Sequence, residues 1–390
     1  MTTLFRQLAG SALAVGLMVV GIRNASAEPI VPTRDDEVIE VLPGLGASRL
    51  EERRARRALA QRPNDPALAV GIARRLLARA HDDGDPRFAG QALAAISAWS
   101  DSDAPDDVLL LRADLQQYLH EFDASVLSLQ RLLARPSGAG LAQAWLTLAT
   151  VRRVQGRYAE SDQACAKLAQ ANAALYAGAC AAENAALRGE FDAARTSLAK
   201  LMAASGVTAA TQAWLLVTQA ELEQRAGRAE AADAAFRKSL ALQSDSYARL
   251  AYADFLIEQR RPVEALQWLV GESRNDAVLL RLAIAGKLAK SADAARDAAE
   301  MRERITVANL RPDAKLFHGR EQAMFALAVE GDAARALALA RGNAAHQREP
   351  LDLVVFAQAA KAAGDAAALH EARSLAAQIG LRDERIQALL

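Results

Sequence analysis

The chain has 390 residues, of which 52% are hydrophobic, 24% charged and 5% aromatic, and its formal net charge is zero. This composition excludes an intrinsically disordered chain and a collagen-like or Pro/Gly-rich polymer, because ample apolar surface is present for burial. The balance of 47 basic and 47 acidic residues argues against a nucleic-acid or anionic-lipid binder, which is usually basic.

Residues 1–27 have the pattern of a secretory signal peptide. Arg6 supplies a positive charge, an uncharged and mostly apolar run extends from Leu8 to Val20, and small residues precede a cleavage point before Glu28. The alternative is an uncleaved membrane anchor, but the run is shorter than the roughly 20 apolar residues that span a bilayer. The sequence therefore predicts a protein exported to the periplasm of a Gram-negative bacterium, with no stable membrane insertion after cleavage.

Residues 28–48 differ in composition from the rest of the chain. Pro29, Pro32 and Pro43, with two glycines nearby, disfavour a helix. We expect an extended leader that packs along the first helices. The alternative is a recognition tail that contacts a partner through the acidic cluster at residues 35–37.

Helical signals dominate from residue 49 onward. Ala, Leu, Arg, Glu and Gln are frequent, and apolar residues recur three and four positions apart, for example at Leu109, Ala113 and Leu115. Sustained alternation of apolar and polar residues, which would indicate strands, is missing from the sequence. These patterns predict an all-α fold that begins with a polar capping helix.

Short turns related to the pattern Gly-x-aromatic-x-x-Ala recur along the helical part, and Gly156 and Gly189 match its first three positions. Aligned on this motif, the turns stand at Gly84, His120, Gly156, Gly189, Gly227, Arg260, Lys290, Gly331 and Gly364. Successive turns are 36, 36, 33, 38, 33, 30, 41 and 33 residues apart. These spacings scatter around the period of about 34 residues that is typical of a two-helix repeat.

A column of small residues supports this alignment. Seven residues before each of the last eight turns stand Ala113, Ala149, Ala182, Ala220, Ala253, Ala283, Met324 and Ala357. Two antiparallel helices can approach closely only where the facing side chain is small. The column therefore predicts a tight crossing at the same place in each hairpin.

At this point the chain resembles the tetratricopeptide repeat family. The resemblance is clearest from about Pro105 to Val270, and it is carried by Trp145, Leu148, Ala149, Gly156, Tyr158 and Leu168. It implies a right-handed superhelical solenoid of about eight or nine antiparallel helix pairs, over residues 49–270 and, in degenerate form, 271–390. It also implies a protein or peptide partner in the concave groove that the first helices line. Such pairs depend on their neighbours for burial, so stability adds along the array.

The family register places three aromatic residues in this groove. They are Tyr176, Trp214 and Tyr247, and seven residues after each stands an acid: Glu183, Glu221 and Asp254. This arrangement predicts a ladder that holds a peptide with basic or apolar side chains, with Arg225, Asp114 and Arg153 as further polar anchors. The alternative is that the aromatic residues are core residues and the acids face solvent.

The two cysteines are nearly symmetric about a predicted turn near residues 171–173. Cys165 precedes the turn and Cys180 follows it, so antiparallel neighbouring helices would place them opposite each other. In an oxidising compartment this predicts a disulfide that closes a loop of about 15 residues. The alternative is a pair of small buried side chains.

Catalytic and metal-binding signatures are missing from the sequence. The five histidines are scattered, and no zinc-protease, nucleophile-elbow, phosphate-loop or dinucleotide motif occurs. We therefore expect a non-enzymatic scaffold or adaptor in the cell envelope, with no cofactor and no metal. The alternatives are a self-assembling structural repeat module and a groove-based enzyme or small-ligand binder, which a closed pocket with converging carboxylates would favour.

Overall fold

The computed structural model describes residues 47–135, 141–310 and 319–389. The predicted signal peptide, residues 1–27, lies outside these ranges. So does the predicted leader, residues 28–48, except for its last two residues. The chain divides into two compact units, Met1–Glu51 and Glu52–Leu390. The described part of the first unit, residues 47–51, is the start of a helix, and the second unit contains the helix pairs.

The described backbone contains helices and no strand. The helices are α1 (Ala47–Gln61), α2 (Pro66–Asp83), α3 (Pro86–Ala95), α4 (Asp106–Tyr118), α5 (Phe122–Leu133), α6 (Leu141–Val154), α7 (Tyr158–Gln170), α8 (Ala174–Leu187), α9 (Phe191–Met202), α10 (Ala209–Arg225), α11 (Ala229–Leu242), α12 (Ser246–Glu258), α13 (Pro262–Trp268), α14 (Asp276–Ala289), α15 (Ala294–Ala308), α16 (Gly319–Phe325), α17 (Ala333–Ala344), α18 (Pro350–Ala362), α19 (Ala366–Ile379) and α20 (Glu384–Gln387). A π-helical segment, Ala326–Glu330, continues α16.

From α2 to α19 the helices form consecutive pairs in which each helix packs against the next along the chain. The described residues contain nine such pairs, from α2 with α3 to α18 with α19. This confirms the predicted all-α solenoid of antiparallel helix pairs. The pairs continue through residues 271–379, and the predicted division between 49–270 and 271–390 stays a prediction.

Every predicted turn residue adopts the left-handed backbone conformation. The φ angles of all nine turn residues lie between 55° and 86°, including those of His120, Arg260 and Lys290. In most of these turns the following N–H donates to the carbonyl five residues back, as from Arg157 to Arg152 at 2.8 Å. This is the hydrogen bond that ends a helix in a Schellman motif. The sequence motif thus marks a backbone conformation that three non-glycine residues also adopt.

The predicted small-residue column is buried between helices, apart from Met324, which is half-buried. All seven of its alanines are buried. In two pairs a serine on the second helix takes part in the contact: Ser125 Oγ donates to the Ala113 carbonyl and Ser161 Oγ to the Ala149 carbonyl, both at 2.8 Å. A larger residue in the column would push the two helices apart.

The segments before α18 and α20 return to earlier helices. The N–H of Arg348 donates to the carbonyl of Val154 at 2.7 Å, and the N–H of Arg382 donates to that of Leu187 at 2.8 Å. Val154 and Leu187 end α6 and α8, where backbone carbonyls lack a partner within the helix. The returning chain therefore caps these helices from a distance of almost 200 residues in sequence.

Two turn glycines make this return possible. A Cβ atom on Gly156 would lie 3.0 Å from Ile379, and one on Gly189 would lie 2.8 Å from the side chain of Arg382. Both glycines also have a positive φ. Leu381 and Ile386 are buried beside them, so the return is held by apolar packing as well as by hydrogen bonds.

The cysteines meet across the turn between α7 and α8. Cys165 and Cys180 are joined in a disulfide, and their Cα atoms are 5.8 Å apart, within the usual range. Both residues are buried. The bond links two consecutive helix pairs.

We expect Lys290→Gly to raise the free energy of unfolding by about 1 kcal/mol, because a side chain is disfavoured in the left-handed region. The matched control is Lys238→Gly, at an exposed position inside α11, which should lower it by about 1 kcal/mol. Urea denaturation followed by circular dichroism measures both. Equal destabilisation by the two variants would contradict the left-handed assignment.

We expect the mature protein purified under oxidising conditions to give one linked peptide containing Cys165 and Cys180 after proteolysis. Reduction should lower the free energy of unfolding by about 3 kcal/mol, since the bond closes a loop of about 15 residues. Non-reducing mass mapping makes the measurement. Two free thiols in oxidised material would refute the prediction.

Candidate functional site

A cavity of about 680 Å³ lies between the inner helices of the solenoid and its returning end. Its lining residues come from α6, α7, α8, α10, α12, α14 and α16 and from the late helices α18 and α20. This volume is within the range of pockets that hold small ligands, roughly 300–1,000 Å³. We call this cavity the chamber.

The chamber has a charged part and an apolar part. Its charged residues are Arg153, Glu183, Glu221, Arg225, Asp254, Glu258, Arg260, Arg281, Arg320, Glu349 and Arg385. Its apolar residues come mainly from α12, α14, α16 and α18, and include Ile257, Ile284, Leu288, Met324, Leu327, Val354 and Val355. The chamber therefore suits a ligand with a polar group and an apolar body.

Five of the seven residues predicted for the groove line the chamber: Glu183, Glu221, Arg225, Tyr247 and Asp254. The other two, Tyr176 and Trp214, lie outside its lining. They are 45% and 38% exposed, and their ring centroids are 5.8 Å apart. All seven residues thus lie on the inner helices, as the family register predicts. Five of them line the chamber, and Tyr176 and Trp214 lie on the surface outside it.

Two of the three predicted acids are already bound by arginines of neighbouring helix pairs. Glu183 Oε2 forms an ion pair with Arg153 Nη2 at 3.1 Å. Asp254 accepts two hydrogen bonds from Arg281, at 2.9 and 2.6 Å. That these acids hold a peptide with basic or apolar side chains stays a prediction, and a basic side chain would have to compete with both arginines for them.

The third acid, Glu221, forms a hydrogen-bonded pair with Tyr247. The Tyr247 hydroxyl donates to Glu221 Oε1 at 2.6 Å. Burial raises the pKa of Glu221, while the charge of Arg225 and this hydrogen bond act to lower it. The Glu221 charge raises the pKa of Tyr247 well above its ordinary value. The phenol therefore stays protonated and remains the donor.

A second ion-pair group fixes the start of α18 at the chamber wall. Arg320 donates to Glu349 at 2.9 Å, and Asp352 accepts from the N–H of Glu349 at 2.8 Å and from Asn343 at 2.8 Å. Burial raises the pKa of Asp352 to about 7. Sequence analysis missed this group because its members meet only through the packing of α16, α17 and α18.

Some donors at the chamber have no hydrogen-bond partner within the described residues. They are Nε and Nη2 of Arg225, Nη1 of Arg153 and the hydroxyl of Tyr158. Arg225 is 5% exposed and Tyr158 is 4% exposed. From the sequence, the two arginines are predicted polar anchors of the groove, and Tyr158 is predicted only as part of the repeat motif.

Two other kinds of site do not occur in the part of the chain that the structure describes. In it, no three or more His, Cys, Asp or Glu residues are grouped so as to hold a metal ion. Nor is any helix there both long enough and apolar enough to cross a bilayer.

No family model matches the chain, and no curated protein matches it either. Solved structures do match. Pseudomonas aeruginosa pilF is 17% identical over 65% of this chain and 93% of its own, with a TM-score of 0.30. A tetratricopeptide repeat protein from Parabacteroides merdae is 14% identical over 73% and 97%, with a TM-score of 0.32. A Rap protein in complex with competence and sporulation factor is 11% identical over 87% and 93%, with a TM-score of 0.45.

The fold is tetratricopeptide-like. The helix pairs, the left-handed turns and the buried alanine column of this chain carry that assignment.

Proposed function

We propose that the protein is a non-enzymatic interaction scaffold, exported to the bacterial cell envelope, that binds an extended segment of a protein partner. The binding surface is formed by Tyr176, Trp214 and Tyr247, which we call the aromatic strip. The observation that carries the proposal is the exposure of these three large side chains on three consecutive inner helices: 45%, 38% and 64%.

The strip is ordered before any partner binds. The rings of Tyr176 on α8 and Trp214 on α10 are in contact, and Tyr247 on α12 is held through its hydroxyl by Glu221. Aromatic side chains are enriched in protein interfaces because they offer a large contact area with few rotatable bonds. Since each helix contributes one ring, the strip crosses the helices and suits a partner segment that runs across them.

The partner segment is expected to be apolar or aromatic. Glu183 and Asp254 are neutralised by Arg153 and Arg281, and Glu221 is engaged by Tyr247. A basic segment would therefore find few free carboxylates next to the strip. Contact with the rings and exclusion of water would supply most of the affinity.

We expect the double variant Tyr176→Ala, Trp214→Ala to lose partners that the mature protein captures from a periplasmic extract. Its matched control is Leu127→Ala, Val263→Ala, which removes exposed apolar side chains from α5 and α13. Affinity capture with quantitative mass spectrometry compares the two, and circular dichroism checks that both fold. The same captured proteins with both double variants would refute the role of the strip.

We expect the full chain, produced in a Gram-negative host, to reach the periplasm with Glu28 as its first residue. Ala25→Lys, Ala27→Lys should block processing, because the peptidase requires small residues at these two places. Ser26→Gln, at the unconstrained position between them, should leave it intact. Cell fractionation measures the location of the protein, and N-terminal sequencing identifies its first residue. A cytoplasmic protein that keeps Met1 would exclude export.

A further inference from the structure

The chamber contains a buried guanidinium whose donors are not all used. Arg225 ends α10 and lines the chamber, and its Nε and Nη2 have no hydrogen-bond partner within the described residues. Burying polar donors without partners is unfavourable. Other arginines of the lining are satisfied by carboxylates: Arg281 by Asp254, Arg320 by Glu349.

Two more unused donors belong to the same cluster. The Tyr158 hydroxyl and Arg153 Nη1 also have no partner within the described part of the chain. Burial raises the pKa of Tyr158, and the charges of Arg225 and Arg153 oppose this rise. All three residues line the chamber, so α6, α7 and α10 each contribute unused donors to its lining.

The charges of the chamber favour an anion that carries one negative charge. Its lining contains six arginines and five carboxylates. The formal charge of the lining is therefore one positive, which a ligand with a single negative charge balances and a phosphate monoester dianion exceeds. A carboxylate carries a single charge, and its two oxygens match the planar donor edge of an arginine.

We propose that the chamber binds a small amphiphilic carboxylic acid, with its carboxylate held by Arg225, Arg153 and Tyr158. Its apolar body lies against Ile257, Ile284, Leu288, Met324 and Val354, which line the chamber. The chamber volume of about 680 Å³ suits such a molecule and excludes a folded partner. This inference goes beyond the proposed function: of the aromatic strip only Tyr247 lines the chamber, and Tyr176 and Trp214 lie outside its lining.

Calorimetric titration of the mature, oxidised protein tests the proposal with three probes that share one alkyl chain. They are decanoate, decanol and decyl phosphate. Two further carboxylates, octanoate and 4-phenylbutyrate, differ from decanoate in the size and shape of the apolar part. We expect a carboxylate of this panel to bind with a Kd below about 1 mM, at least about tenfold tighter than decanol or decyl phosphate. No carboxylate binding in this range, or equal binding of decanol, would overturn the proposal. Tighter binding of decyl phosphate would overturn the assignment to a single charge.

The decisive variant is Arg225→Gln. It should weaken carboxylate binding about tenfold or more and leave decanol binding unchanged, and Tyr158→Phe should act in the same direction. Arg260→Gln is the matched control, because Arg260 also lines the chamber but is exposed. Since Arg225 has unmet donors, its variant should keep the thermal midpoint of the parent. An equal loss of binding in the Arg225 and Arg260 variants would show a general charge effect instead of a site.

The double variant of the aromatic strip separates this proposal from the proposed function. It should keep full carboxylate binding, and the Arg225 variant should keep the captured protein partners. Loss of carboxylate binding in the strip variant would contradict a separate chamber site.

Discussion

The hydrogen bonds from the returning chain to the ends of α6 and α8 are the constraint on which the chamber depends. Helix ends need partners for their last carbonyl groups, and here the N–H groups of Arg348 and Arg382 provide them. Each bond brings a late segment of the chain onto an early helix. Without this contact the inner helices would line an open surface, and the charged residues on them would face solvent.

Local features of the fold could be predicted from the sequence because they depend on neighbouring residues. All nine turn residues located by the motif are left-handed, even where His120, Arg260 and Lys290 replace glycine. The alanine column located the close crossings for the same reason: the size of a side chain decides how near two helices can come. Helix starts are also local, as the acidic or amide caps at Asp65, Asp245 and Asn275 illustrate.

The return of the chain could not be predicted from these signals. It follows from small rotations between pairs that accumulate over the whole array, and no single motif records them. The same holds for the ion pairs that neutralise Glu183 and Asp254. Arg153 stands 30 residues before Glu183, and Arg281 stands 27 residues after Asp254. Both separations are near one repeat length, and this spacing is the only signal in the sequence for the two pairs.

Contact between late and early pairs also changes how the array assembles. An open array of helix pairs can fold from any point and can fray at either end, because each pair touches only its neighbours. Here the segment before α20 contacts the ends of helices near the middle of the array, and Arg385 and Leu389 line the chamber. The interior is therefore complete only when this late segment has docked, and removing α20 would take away part of the chamber wall.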